Sequence, residues 1–240
     1  MKIFKWGTVR LLLMFAIVIF LFAFTSKRNN ERKILRSEVV FEGDNNLFVR
    51  AETVNKLLIE NKSGGPAIEK DGLDLNKLEK TVKEHKLVAD AEVFVTIDGV
   101  LKAVVKQKVP VARVFDEVGS FYVDSEGGRM PLSPNFTARV PLVSGDIDGE
   151  KQAELNELFR IISEDEFLKK NIIGIKVLPS GSLKMMNRNF NYEIDFGQPI
   201  NVDAKFRNYK AFFQKAASDS TLNHYKRINL KFTQQVVCTK

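Results

Sequence analysis

The sequence predicts an α+β chain: a single apolar N-terminal helix that crosses a membrane, a small strand–helix–helix–strand–strand domain, and a larger β-rich domain with two helices. Three observations carry this. Leu11–Phe24 (LLLMFAIVIFLFAF) runs fourteen residues without a polar side chain. Between residues 37 and 106 the apolar positions change from alternation to helical spacing and back. After Pro110, short strand-like runs recur between glycine- and proline-bearing turns.

Bulk properties set limits. A length of 240 residues suits two modest domains. Hydrophobic content of 44% and charged content of 28% are those of a folded chain rather than a disordered one. The net charge is +7, but setting aside Lys2, Lys5 and Arg10 leaves 34 basic against 30 acidic residues. The excess forms no concentrated basic face, so no nucleic-acid partner is expected. Cys238 is the one cysteine, which excludes an intrachain disulfide and a cysteine-based metal site.

Eleven of the fourteen residues in Leu11–Phe24 are Leu, Ile, Val or Phe. Together they favour lipid by roughly 3 to 7 kcal/mol. Counting from Trp6 to Thr25 gives about 30 Å of helix, the thickness of the hydrocarbon core. Trp6, Leu11, Phe15, Phe20 and Phe24 are the expected anchor residues. Arg10 lies about one turn inside and can snorkel toward the level of Trp6. A cleaved signal peptide is the alternative, but Ala23-Phe24-Thr25 is a poor cleavage site. Basic residues flank both ends, so charge does not decide orientation. The short tail, residues 1–5, is expected in the cytoplasm, with a linker over 26–36 and the bulk of the chain outside.

SEVVFE (37–42) reads as a strand. Ala51, Val54, Leu57 and Leu58 then fall on one helical face over 51–60. A loop is expected at 61–72, where Gly-Gly-Pro breaks any helix. Asp74 is placed to cap a second helix, with Leu75, Leu78 and Val82 as its buried stripe and Glu79–Lys83 as a surface pair. Val93, Val95 and Ile97 alternate, as do Leu101, Ala103 and Val105. A three-residue loop Asp98–Val100 would pair Ile97 with Leu101 and keep both rows on one face. Two helices over a three-stranded sheet bury one core, and the domain is expected to span 37–109.

Residues 110–240 form the second domain. VARVF, FYVD, RMPLS and VPLVSG read as short strands. A helix over 150–162 presents Leu155, Leu158, Phe159 and Ile162. IIGIKVL, SLKMMN and NYEIDF follow as a meander turned at Pro179-Ser180-Gly181. A second helix over 202–217 carries Phe206, Tyr209 and Phe213. RINLKF (227–232) and QVVCT (235–239) close the chain as strands.

No pattern supports catalysis. Asp124 and Glu126 in FYVDSEGGRMPLS could form an acid–base pair, which keeps an envelope hydrolase as a third reading. The segment nevertheless reads as two strands joined by a glycine-bearing turn with a solvated polar tip. His85, in the last turn of its helix, and His224 lack metal-ligand spacing. GDIDGE lacks the spacing of a calcium loop. No cofactor or small-molecule substrate is expected. What remains is surface: a terminal strand at a sheet edge can accept a strand from another chain, unless the fold itself covers it.

The order of these segments over some 200 residues resembles the FtsQ/DivIB cell-division family in its Bacteroidetes-type members. The segment 37–106 resembles a POTRA domain. LKAVVKQKVPVARVF resembles the family's domain junction, with Gln107-Lys108 replacing the usual Glu-Arg. FYVDSEGGRMPLS resembles the first hairpin of the β domain, with Asp124 and Gly127 or Gly128 in an Asp-x-x-Gly pattern. NYEIDFG, KFRNYKAFF and RINLKF resemble its closing elements. The resemblance implies a non-enzymatic, single-pass inner-membrane scaffold at the division septum that binds the FtsB–FtsL coiled-coil pair by strand addition. Its contact segment would be Ile228, Leu230, Phe232, Val236 and Val237. The alternative is a POTRA-type chaperone or receptor for protein transport across the envelope.

Overall fold

The computed structural model describes residues 6–30, 33–34, 36–43, 46–60, 68–69, 73–116, 119–145, 147 and 151–240. The chain divides into two compact units after Gln107. The tail 1–5, most of the loop 61–72 and most of GDIDGE lie outside the described residues.

Helix α1 runs from Trp6 to Asn30. It is long and apolar enough to cross a membrane. The expected span ended at Thr25, but the helix continues through residues placed in the linker. No glycine or proline interrupts the chain there, so backbone hydrogen bonding continues past the apolar run. The rest of that linker contributes β1 (Lys33–Ile34) and the start of β2 (Arg36–Glu42). After α2 (Ala51–Glu60), β3 (Ile68–Glu69) pairs antiparallel with β1 inside what was expected to be a plain loop.

The first unit otherwise follows the sequence pattern. Helix α3 (Leu75–Lys83) starts at Asp74, whose Oδ1 accepts from the Lys77 N–H at 3.0 Å. The Lys83 ammonium bridges Glu79 at 3.1 Å and Asp90 at 3.0 Å. Strands β4 (Val88–Val95) and β5 (Val100–Gln107) form a hairpin, and β2 adds parallel to β5, giving the order β2-β5-β4. Helix α2 packs against β2 and α3 against β4. Val54, Leu58, Leu78 and Val82 are buried over Leu101, Ala103 and Val105.

The hairpin register corrects the expectation. Val95, not Ile97, pairs with Leu101, and the three-residue turn is Ile97–Gly99. A shift of two residues keeps every side chain on its face, so the apolar rows still coincide. It places Gly99 at the end of the turn with φ +75°, where glycine alone is unstrained. Ile97 is left 81% exposed. Gln107 closes the unit. Its Oε1 accepts from the N–H groups of Phe48 (2.9 Å) and Val49 (3.1 Å), and its Nε2 donates to Val49 O at 2.9 Å.

The second unit begins with β6 (Pro110–Phe115), β7 (Ser120–Asp124), β8 (Arg129–Met130) and β9 (Leu142–Ser144). RMPLS is therefore strand only at its first two residues. Its continuation crosses the outer sheet face, where Tyr122 Oη accepts from the Ala138 N–H at 3.0 Å. Helix α4 (Gln152–Glu164) buries Leu155, Leu158, Phe159 and Ile162, the expected stripe. A short helix not anticipated from the sequence, α5 (Glu166–Asn171), follows at once. Asp165 ends α4 and caps α5, accepting from the Phe167 and Leu168 N–H groups at 3.1 and 3.0 Å. Strands β10 (Ile172–Val177), β11 (Leu183–Asn187) and β12 (Glu193–Gly197) make the meander, and α6 (Val202–Ser218) leads to β13 (Arg227–Asn229) and β14 (Val237–Thr239).

The described strands of this unit form one sheet, ordered β14-β13-β12-β11-β10-β9-β6-β7-β8. Its register aligns one apolar row across eight of them: Phe121, Val114, Val143, Ile175, Met185, Ile194, Ile228 and Cys238. The helices bury this row. The next row, on the opposite face, reads Tyr122, Arg113, Leu142, Gly174, Met186, Glu193, Arg227 and Thr239.

Two predictions follow from the first unit. Ile97→Thr should change stability by less than about 0.5 kcal/mol, whereas Leu101→Ala should cost about 2–5 kcal/mol in urea unfolding. His85 sits in the turn beyond α3 rather than in its last turn, and its burial lowers its pKa below 6.5. The depressed value means the unfolded chain binds the proton first. This contribution to stability is present above pH 6.5 and lost as pH falls through the folded-state value. His85→Gln should therefore flatten the acid limb of the stability–pH profile.

Candidate partner-binding edge

The last two strands are delivered by a crossover. Strand β13 lies parallel to β12, so the chain must travel back along the sheet between them. Helix α6 makes that return, burying Phe206, Tyr209 and Ala216. Strand β14 then folds antiparallel onto β13, pairing Asn229 with Val237, Ile228 with Cys238 and Arg227 with Thr239. The connecting segment is held by bonds from Leu230 N to Asp195 O (2.9 Å) and from Asn208 Nδ2 to Thr233 O (2.8 Å). The ladder is shorter than the sequence indicates: residues 230–232 and 235–236 are not strand.

Polar clamps fix α6 from below. The Lys205 side chain is buried among apolar neighbours, and its Nζ donates to Phe196 O (3.1 Å) and Gln198 O (2.7 Å). The same ammonium lies 4.6 Å from the centre of the Phe196 ring. Burial lowers its pKa. Tyr209 Oη lies 2.9 Å from Tyr192 Oη and accepts from Asn187 Nδ2 at 2.9 Å, tying α6 to β11 and the segment before β12. Burial raises the pKa of both tyrosines, so they remain neutral donors and acceptors. Sequence reasoning passed over Lys205, although a lysine next to Phe206 and four residues before Tyr209 sits on the apolar stripe.

The five residues proposed for contact separate into two groups. Ile228 (0% exposed) and Leu230 (1%) point into the core and offer no side-chain surface to a partner. Phe232 (52%) and Val237 (42%) are exposed. Val236 is half-buried against the core, as is Cys238, whose pKa is raised by burial. Strand β14 stands at the end of the sheet with β13 as its ladder neighbour among the described residues. One side of its backbone is therefore unpaired by any described strand. On the outer face nearby, Lys184 bonds Glu193 at 2.6 Å, and Arg227 approaches Asp195 at 3.5 Å. These partly exposed pairs contribute little to stability.

The hairpin FYVDSEGGRMPLS is a structural turn, but its tip is not simply solvated. Asp124 is 3% exposed. Its Oδ1 accepts from the N–H groups of Glu126 (3.0 Å) and Gly128 (2.7 Å), and its Oδ2 accepts from Lys108 Nζ at 2.7 Å. Gly127 sits at φ +84°, and a Cβ there would fall 2.3 Å from Asn156 Nδ2. The Asp-x-x-Gly spacing thus has a physical cause: one carboxylate gathers the turn amides, and the glycine allows the turn to close against α4. With its oxygens committed to these bonds, Asp124 is poorly placed to exchange protons with a substrate.

Residues 109–239 match the family model described as FtsQ/DivIB, C-terminal related. No curated protein matches the chain. The match covers the sheet, α4–α6 and both closing strands, and it supports a role in cell division. Together with the apolar helix α1, it suggests a membrane-anchored division protein.

Asp124→Ala should cost about 3 kcal/mol in denaturant unfolding, because it strands a half-desolvated ammonium and two turn amides. Glu126→Ala, at the exposed tip, should stay within about 0.5 kcal/mol.

Proposed function

The chain belongs to the FtsQ/DivIB family, and from that premise we propose that it is a non-enzymatic, single-pass scaffold of the division machinery. Its N-terminus lies in the cytoplasm, both folded units lie outside the inner membrane, and it acts at the septum. Its partner is an FtsB–FtsL-type coiled-coil pair, engaged through the C-terminal edge of the second unit.

The observation that carries this reading is the position of β14 at the end of the sheet. An incoming strand would find main-chain groups to pair with and two exposed apolar side chains, Val237 in the strand and Phe232 in the connection that precedes it. Backbone pairing supplies affinity, and the alternate side chains supply choice of partner. Ile228 and Leu230 serve this edge indirectly, by holding β13 and its connection to β14 against the core.

The test is binding of the full chain, in detergent, to the purified FtsB–FtsL pair. Phe232→Asp combined with Val237→Asp should weaken binding by about tenfold or more, equivalent to about 1.4 kcal/mol, with an unchanged thermal midpoint. Wild-type affinity in that folded variant would remove the edge from consideration.

A further inference from the structure

We propose that the N-terminal end of α1 holds the phosphate of an anionic phospholipid, gripped by Arg10 in a notch opened by Gly7. The apolar span begins at Val9, so Arg10 is its second residue. A guanidinium there must reach the interface or find an anion. Arg10 is exposed and forms no ion pair or hydrogen bond among the described residues. Trp6 stands one turn before it, about 6 Å nearer the water, and is 75% exposed. An indole at that level marks the headgroup region.

The local shape matches a lipid. Trp6, Val9, Arg10, Leu13 and Met14 line a groove of about 450 Å³ along one side of the helix. Gly7 lies on the same side, three residues before Arg10. A Cβ added at Gly7 would meet nothing within 4 Å, so the space above it is open. Helical side chains lean toward the N-terminus, which directs the Arg10 fork toward this opening. The planar guanidinium pairs with two phosphate oxygens at once, while Leu13 and Met14 border an acyl chain. A partner helix is a poorer occupant. Close helix pairs use small residues four apart, but Gly7 is followed four residues later by Leu11, and Ala16 by Phe20. Lys2 and Lys5, earlier in the sequence, favour an anionic over a zwitterionic headgroup.

Trp6 is the only tryptophan, so its fluorescence reports this site alone. The full chain is reconstituted into phosphatidylcholine vesicles in which about a tenth of the lipid is chain-brominated, as either phosphatidylglycerol or phosphatidylcholine. Brominated phosphatidylglycerol should quench Trp6 at least about twofold more than brominated phosphatidylcholine. Arg10→Gln should remove at least about half of that excess, the remainder being the general pull of Lys2 and Lys5 on anionic lipid. Gly7→Leu, which keeps every charge but fills the notch, should do the same. A ratio of one in the unaltered chain would overturn the site, and so would either variant that keeps the full preference.

Discussion

One apolar row organises the second unit. It crosses eight strands from Phe121 to Cys238, and because side chains alternate along a strand, it fixes the register of every pair it passes. A slip of one residue anywhere would turn that strand's apolar positions outward. Six members, Val114, Val143, Ile175, Met185, Ile194 and Ile228, are at most 1% exposed. The row ends at Cys238, which is only half-buried. A sheet that buries one face still has to stop somewhere, and this one stops at β14.

On the proposed reading, that ending makes the edge usable without making it fragile. Ile228 and Leu230 commit β13 and its exit to the core, α6 holds the crossover through Phe206 and Tyr209, and Lys205 ties the start of α6 to carbonyls at and just beyond the end of β12. The strand beyond is thin, three residues of ladder. On the proposed reading, so short a margin would resist indiscriminate pairing between copies of the chain while leaving room for a partner that brings its own side-chain contacts. The same separation of labour holds at the turns. Gln107 and Asp124 each commit a buried polar side chain to backbone N–H groups.

Much of this was legible in the sequence, for reasons that can be named. Helical spacing located α2 and the buried stripe of α4 because both faces differ sharply in polarity. Asp74 announced α3 because a short acceptor before an amphipathic run satisfies end amides. The hairpin β4–β5 was recognisable, but its register was not: a shift of two residues leaves the pattern intact, and only the backbone conformation of Gly99 distinguishes the choices. Helix α5 was hidden because Asp165 both ends one helix and starts the next within a continuous polar-apolar pattern. The contact residues follow from the family resemblance laid over a strand-like C-terminal segment. Alternation alone could not say which face of Arg227–Asn229 meets the helices, since that depends on how α6 returns the chain. The burial of Asp124 and Lys205 was equally out of reach, because a charged side chain reads as solvated until its partners are known: two turn amides and Lys108 for Asp124, and the carbonyls of Phe196 and Gln198 for Lys205.

The central claim is that β14 accepts a strand. Amide hydrogen exchange on the full chain, with and without the FtsB–FtsL pair, tests it most directly. The account predicts that exchange across Val237–Thr239 slows by about tenfold or more in the complex, while β8 at the opposite end of the sheet is unchanged. A complex that forms and leaves the Val237–Thr239 amides exchanging at their free rate would contradict it.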